Sequence, residues 1–141
     1  MSFSQPQTLL VGDDDVVVRE TVAELVRGLG LEVVTASCGA ESLQLLARLP
    51  IAVSILDIDL GDMTGIEVFE RYVRGSFVAG PIGAPALPAA RRLRAIFMSA
   101  DAGPDVLAWC ATSGNRFLGK PFGPDAMRDA IRAALESPST G

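Results

Sequence analysis

The sequence predicts an α/β fold: a doubly wound, five-stranded parallel sheet with helices on both faces. Three observations predict it. Short apolar runs alternate five times with segments of helical period. The C-terminal ends of these runs carry the polar residues Asp13, Asp14, Asp57, Ser99 and Lys120, the end of a parallel sheet where ligands bind. The hydrophobic fraction of 49% over 141 residues is ample for one core.

The elements follow in order. Leu9 to Val11 reads as a buried strand running into Asp13, Asp14 and Asp15. From Val16 to Leu29, Val18, Val22, Leu25, Val26 and Leu29 recur at spacings of three and four, which makes a helix stopped by Gly28 and Gly30. Glu32 to Ala36 is the second strand. Ser37 is placed to N-cap a helix carrying Leu43, Leu46 and Leu49, with Pro50 just beyond. Val53 to Leu56 is the third strand and ends at Asp57. A polar loop leads into a helix from about Thr64 to Arg74. Ala95 to Met98 is the fourth strand, Pro104 opens the next helix and Gly114 closes it. Phe117 and Leu118 form a short fifth strand, and Pro124 opens a last helix with Met127, Ile131 and Leu135 on one face.

One stretch breaks this rhythm. Residues 75–90 are rich in Gly, Pro and Ala and have no period, so they read as a surface insertion in a single domain spanning 1–141, with its core at about 7–136 and a short tail at 137–141. A helix-to-strand loop lies at the end of the sheet away from the polar residues. The net charge of −5 and the few aromatics exclude a direct nucleic-acid interface. The absence of a signal peptide or membrane span, with Cys38 and Cys110 as the only cysteines, points to a reduced, cytoplasmic protein. The chain contains no histidine, so no His-dependent triad, zinc–histidine site or histidine phosphotransfer originates in it.

The chemistry must therefore come from carboxylates, Lys120, hydroxyls and a bound cation. Carboxylates gathered at one sheet end repel one another unless a cation sits among them. An all-oxygen ligand set selects Mg²⁺ over zinc. Lys120 supplies a point charge for a phosphoryl group, Ser99 a hydroxyl donor, and Asp57 a nucleophilic carboxylate able to form an acyl phosphate.

The stretches LLVGDDD (Leu9 to Asp15), ILDIDLGDMTG (Ile55 to Gly65), IFMSA (Ile96 to Ala100) and FLGKPF (Phe117 to Phe122) resemble the receiver domains of bacterial two-component response regulators. The resemblance covers the chain apart from the insertion and implies a flavodoxin-like sheet of order 2-1-3-4-5, as in single-domain chemotaxis regulators. It implies Asp57 as the phosphorylation site. Asp14, Asp57 and the backbone carbonyl of Asp59 would ligate Mg²⁺ directly, with Asp13 acting through water. Lys120, across a cis peptide to Pro121, Ser99 and the Ala100 backbone N–H would bind the phosphoryl group, and Ser99 and Phe117 would be switch residues. The phosphodonor would be a sensor histidine kinase or a histidine phosphotransfer protein, and the output an unidentified protein. A homodimer is compatible with this reading; nucleic acid and membrane are not direct partners. Such a domain is a signalling phosphoacceptor that catalyses only its own phosphorylation and dephosphorylation.

The chain departs from the family pattern at Gly61, where Pro is usual, and at Gly12, which weakens a strand. The segment between Gly114 and Lys120 is also one residue short, which bears on the alignment of Phe117. Two other readings stand beside the first. One is a pseudo-receiver that binds partners without phosphorylation. The other is an aspartate-nucleophile phosphatase in which Asp57-Ile58-Asp59 serves as the DxD pair.

Overall fold

The computed structural model describes residues 7–75 and 93–136. Its elements are β1 (Thr8–Gly12), α1 (Val16–Gly28), β2 (Glu32–Ala36), α2 (Gly39–Arg48), β3 (Ile51–Asp57), α3 (Gly65–Arg74), β4 (Arg94–Ser99), α4 (Pro104–Ser113), β5 (Arg116–Gly119) and α5 (Pro124–Glu136). The strands pair in the order β2-β1-β3-β4-β5, all parallel. This is the doubly wound, flavodoxin-like sheet the sequence predicts. Apart from Gly75, the Gly/Pro/Ala-rich stretch 75–90 lies outside the described residues, as does the tail 137–141.

Side chains alternate across the central strands, so each face of the sheet has its own core. On one face Leu9, Val11, Val53, Ile55, Ile96 and Met98 meet Val22 and Val26 of α1 and Met127 and Ile131 of α5. On the other, Leu10, Leu56 and Phe97 meet Leu43 and Leu46 of α2, Val68 of α3 and Cys110 of α4. The continuous apolar runs of β1, β3 and β4 are what burial on both faces requires. Trp109 packs into the second core, edge-to-face with Phe69 and Phe97. Both cysteines are free, Cys110 buried and Cys38 half-buried.

The starts of α1, α2 and α3 are held by side-chain oxygens. Asp15 caps α1, its Oδ1 accepting the Val17 N–H at 2.9 Å. Thr64 and Glu67 cap α3 reciprocally, and Gly75 ends it in the left-handed conformation at φ 71°. The expectation for Ser37 needs correction. The N-cap of α2 is Cys38, whose side chain makes no capping bond. Ser37 instead donates its N–H and hydroxyl to Glu41 Oε1. The cap of α2 comes from Asp62, more than twenty residues further along the chain, whose carboxylate accepts the Gly39 and Ala40 N–H groups at 2.7 and 2.9 Å.

The glycine in β1 also has a packing reason. A Cβ at Gly12 would stand 2.8 Å from Leu56 Cδ2 and 2.9 Å from Ser42 Oγ. Whatever strand propensity is lost there lets α2 close onto β1 beside the acidic loop.

Candidate functional site

Gly12, Asp57, Ser99 and Gly119 end neighbouring strands, so the sheet delivers their loops to one edge. Carboxylate oxygens of Asp13, Asp14 and Asp57 lie within 4.8 Å of one another there. Asp13 is fully buried and Asp57 nearly so, while Asp14 is exposed. The Lys120 ammonium bridges the two buried acids, donating to Asp57 Oδ2 at 2.6 Å and Asp13 Oδ2 at 2.9 Å.

Backbone donors orient the two buried carboxylates, and the half-buried Arg19 holds the main chain at Asp13. Asp13 Oδ1 accepts the Asp15 N–H at 2.9 Å. The Arg19 guanidinium donates to the Asp13 carbonyl at 2.8 Å, tying the β1–α1 loop to its helix. Asp57 Oδ1 accepts the Asp59 N–H at 2.9 Å. The Ile58 N–H donates to the Met98 carbonyl, and the Lys120 N–H to the Ser99 carbonyl, each at 2.8 Å. The β3–α3 and β5–α5 loops are thus pinned to β4. The Lys120–Pro121 peptide is cis.

Gly65 explains the spacing of the Asp57 motif. A Cβ there would fall on the Asp57 carbonyl oxygen and 3.2 Å from Leu56 Cβ. The start of α3 therefore lies directly against the residue that carries the site, and only a hydrogen fits between them. Gly61 has φ 86°, a conformation closed to proline, whose ring holds φ near −65°. The loop turns differently from one built on Pro, with the Gly61 N–H bound to Asp59 Oδ1 at 3.0 Å.

The electrostatics follow from burial. Loss of water pushes the Asp13 carboxyl above its usual value, and the Asp57 charge adds to this against the Lys120 and Asp15 hydrogen bonds. For Lys120, burial favours the neutral amine, but its hydrogen bonds to the Asp57 and Asp13 carboxylates, with their negative charge, outweigh this and hold the ammonium above its ordinary range. The pocket is acidic in excess: three carboxylates face one ammonium.

A chain with these strand-end residues and this sheet order matches the family model described as response regulator receiver domain, over residues 9–132. The chain belongs to the response regulator receiver domain family. It is 29% identical over 131 residues to the probable transcriptional regulatory protein TcrX of Mycobacterium tuberculosis, covering 93% of this chain and 50% of that protein. It is likewise 29% identical to the nitrate/nitrite response regulator protein NarP of Escherichia coli, over 96% of this chain and 58% of NarP. The chain thus spans about half the length of these curated relatives. Among solved structures, chemotaxis protein CheY4 of Vibrio cholerae superposes with a TM-score of 0.77 at 22% identity, over 93% of this chain and 100% of that one. A putative response regulator from Chloroflexus aurantiacus gives 0.75 at 27% identity, over 93% and 98%.

Within this receiver domain, most of the residues singled out in the sequence are gathered in one place. Asp13, Asp14, Asp57 and Lys120 converge. Ser99, nearly buried at the end of β4, accepts the Asp101 N–H at 3.0 Å on its Oγ. Ala100 follows it in the β4–α4 loop. Asp59 is exposed, its carboxylate engaged in its own turn. Phe117 lies half-buried in the second core, paired in register with Phe97 on the neighbouring strand, and so stands apart from the carboxylates. Asp62 and Arg19 are the residues that sequence reasoning missed. Their targets are backbone atoms, which leave no motif. Among the described residues no helix is long and apolar enough to cross a membrane.

Proposed function

We propose that this receiver domain accepts a phosphoryl group on Asp57 in an Mg²⁺-dependent reaction and thereby switches a protein-binding surface. The observation that carries the reading is the Lys120 ammonium bridging two buried carboxylates within an acidic cluster. All candidate metal ligands are oxygens, which suits a hard cation, and the excess negative charge favours one. Asp14, Asp57 and the Asp59 carbonyl would hold Mg²⁺, with Asp13 contributing through water. When bound, the ion neutralises the carboxylates and phosphoryl oxygens as they approach.

The chain's own groups do the rest. An Asp57 carboxylate oxygen attacks phosphorus as the bond to the donor's imidazole nitrogen breaks, leaving an aspartyl phosphate and a neutral imidazole after protonation. Lys120 shifts from the carboxylate to a phosphoryl oxygen, where its charge is most useful. The Ser99 hydroxyl and the Ala100 N–H bind another phosphoryl oxygen. Movement of Ser99 frees the space into which Phe117 rotates. Hydrolysis of the acyl phosphate resets the domain. Family membership implies a phosphohistidine donor, and because the chain has no histidine that group belongs to a partner, a sensor kinase or a phosphotransfer protein in the cytoplasm. The output is a second protein, with a homodimer as one form of it.

Incubation with Mg²⁺ and a small phosphodonor is expected to add one phosphoryl mass, absent in Asp57→Asn. Folded protein that stays unmodified by small donors and by its cognate kinase refutes this reading and favours a pseudo-receiver. Family membership accounts for Asp13, Asp14 and Lys120, to which the phosphatase alternative assigns no role.

A further inference from the structure

We propose that Asp62 is a positioning residue for the cation site: by capping α2 from the β3–α3 loop, it holds the Asp59 backbone in place beside the acidic pocket. The inference rests on the reading of that pocket as an Mg²⁺ site.

Helix α2 arrives without a cap of its own, since the Cys38 side chain makes no capping bond. Its first N–H groups are unsatisfied donors at the positive end of the helix dipole. Asp62 grips two of them with separate oxygens, Oδ1 to Gly39 at 2.7 Å and Oδ2 to Ala40 at 2.9 Å. These charge-assisted bonds hold the Asp62 carboxyl below its usual range. Met63 lies against Gly39 so closely that a Cβ there would strike its Cγ and stand 2.8 Å from its Sδ.

The loop so fastened is short and closed. The Leu60 N–H donates to the Met63 carbonyl at 3.1 Å, Asp59 bridges Thr64, and Gly61 turns the chain at φ 86°. Asp57 Oδ1 and Asp59 Oδ1 hold the Asp59 and Gly61 N–H groups from within, and the Asp62 bonds tie the glycine-containing tip to a neighbouring helix. The same turn of α2 also presses on β1, where Ser42 Oγ packs beside Gly12, the residue before Asp13. The first turn of α2 is thus a common strut between the loop carrying Asp13 and Asp14 and the loop carrying Asp59. An ordinary local cap would stabilise the helix without joining the two loops.

The test is calorimetric titration of the full chain with Mg²⁺ alone, for wild type, Asp62→Ala, and Asp62→Ala combined with Cys38→Ser. Loss of the fastening is expected to weaken Mg²⁺ binding by about tenfold, the lower end for residues that orient metal ligands. Cys38→Ser gives α2 a local cap, so the double variant is expected to recover melting temperature but not Mg²⁺ affinity. Unchanged affinity in Asp62→Ala, or recovery of both properties in the double variant, overturns the proposal. If Asp62→Ala does not fold, Asp62→Asn, which keeps one acceptor, decides: unchanged Mg²⁺ affinity overturns the proposal and weaker binding supports it. If wild type binds no Mg²⁺, the reading of the pocket fails instead. The positioning role is then judged by metal-free amide exchange at Leu60 and Gly61, faster in the variant if Asp62 fixes the loop and unchanged if it does not.

Discussion

Replacing Gly65 by alanine tests how closely the strand carrying Asp57 and α3 are joined. On helix propensity alone the change at the first residue of α3 is favourable by up to about 1 kcal/mol. The tertiary contact opposes it. The added methyl lands on the Asp57 carbonyl oxygen and 3.2 Å from Leu56 Cβ, and a backbone carbonyl cannot swing aside as a side-chain tip can. Overpacking of this kind costs about 1–3 kcal/mol. Retreat of α3 would also stretch the Gly65 N–H bond to the Ile58 carbonyl, now 2.9 Å, whose net worth is about 0.5–1.5 kcal/mol. The balance is a loss of about 1–3 kcal/mol, or roughly 3–10 °C in melting temperature for a domain of this size. Phosphorylation suffers separately, because a displacement of about 1 Å at a reacting group can cost about 100-fold in rate. Gly28→Ala is the control: beyond its chain neighbours and its own helix backbone, no atom lies within 4 Å of its Cβ position, so it is expected to be neutral or stabilising by up to about 1 kcal/mol. Thermal denaturation and the rate of phosphoryl incorporation from a small donor at saturating Mg²⁺ measure both effects. A Gly65→Ala protein with wild-type melting temperature and rate, or a Gly28→Ala protein equally impaired, refutes the reasoning.

Two further outcomes follow from the charges. Lys120→Met leaves Asp13 and Asp57 without their bridging cation and is expected to destabilise the metal-free protein by about 1–3 kcal/mol, below the value for a fully buried pair because the lysine side chain is 17% exposed. Mg²⁺ should stabilise this variant more than wild type, since the competing charge is gone; equal shifts in melting temperature with Mg²⁺ would count against the shared pocket. For pH, the Asp13 carboxyl lies above its ordinary 3.8 in the folded chain. Between that value and the raised one the metal-free native state holds more protons than the unfolded state, so Asp13's contribution to stability falls as pH rises through the window. Mg²⁺ binding needs the carboxylate, so affinity is expected to rise with pH across the same window, with proton release visible by titration in buffers of different ionisation enthalpy. Asp13→Asn should weaken that dependence; an identical pH profile in the variant would remove Asp13 from the explanation.

Local pattern was enough for the order of elements. Apolar runs, three- and four-residue spacings and the Pro and Gly at helix ends placed the five strands and five helices of the described residues, because burial on both faces of a sheet and on one face of a helix writes a period into the chain. The acidic pair, Asp57, Ser99 and Lys120 were legible as a set, because each alone has ordinary reasons to stand at a strand end but their convergence at one end of a parallel sheet does not. Ser37 was misread because a serine before a helix is a good local cap, while the actual partner of α2 is a carboxylate in a distant loop. Gly12 looked like a flaw in a strand until the approach of Ser42 and Leu56 gave it a packing role.

The sequence by itself determined the fold class, the residue types available for chemistry and the absence of any histidine. Those depend on periodicity and composition, which are properties of the chain read in order. Only the tertiary structure decided that Asp13 is buried and Asp14 exposed, that Lys120 holds Asp13 and Asp57 at once, and that Asp62 joins the β3–α3 loop to α2. Desolvation and hydrogen bonding act over a few ångströms of space, and residues 63 and 107 positions apart in sequence meet only when the sheet brings its strand ends together.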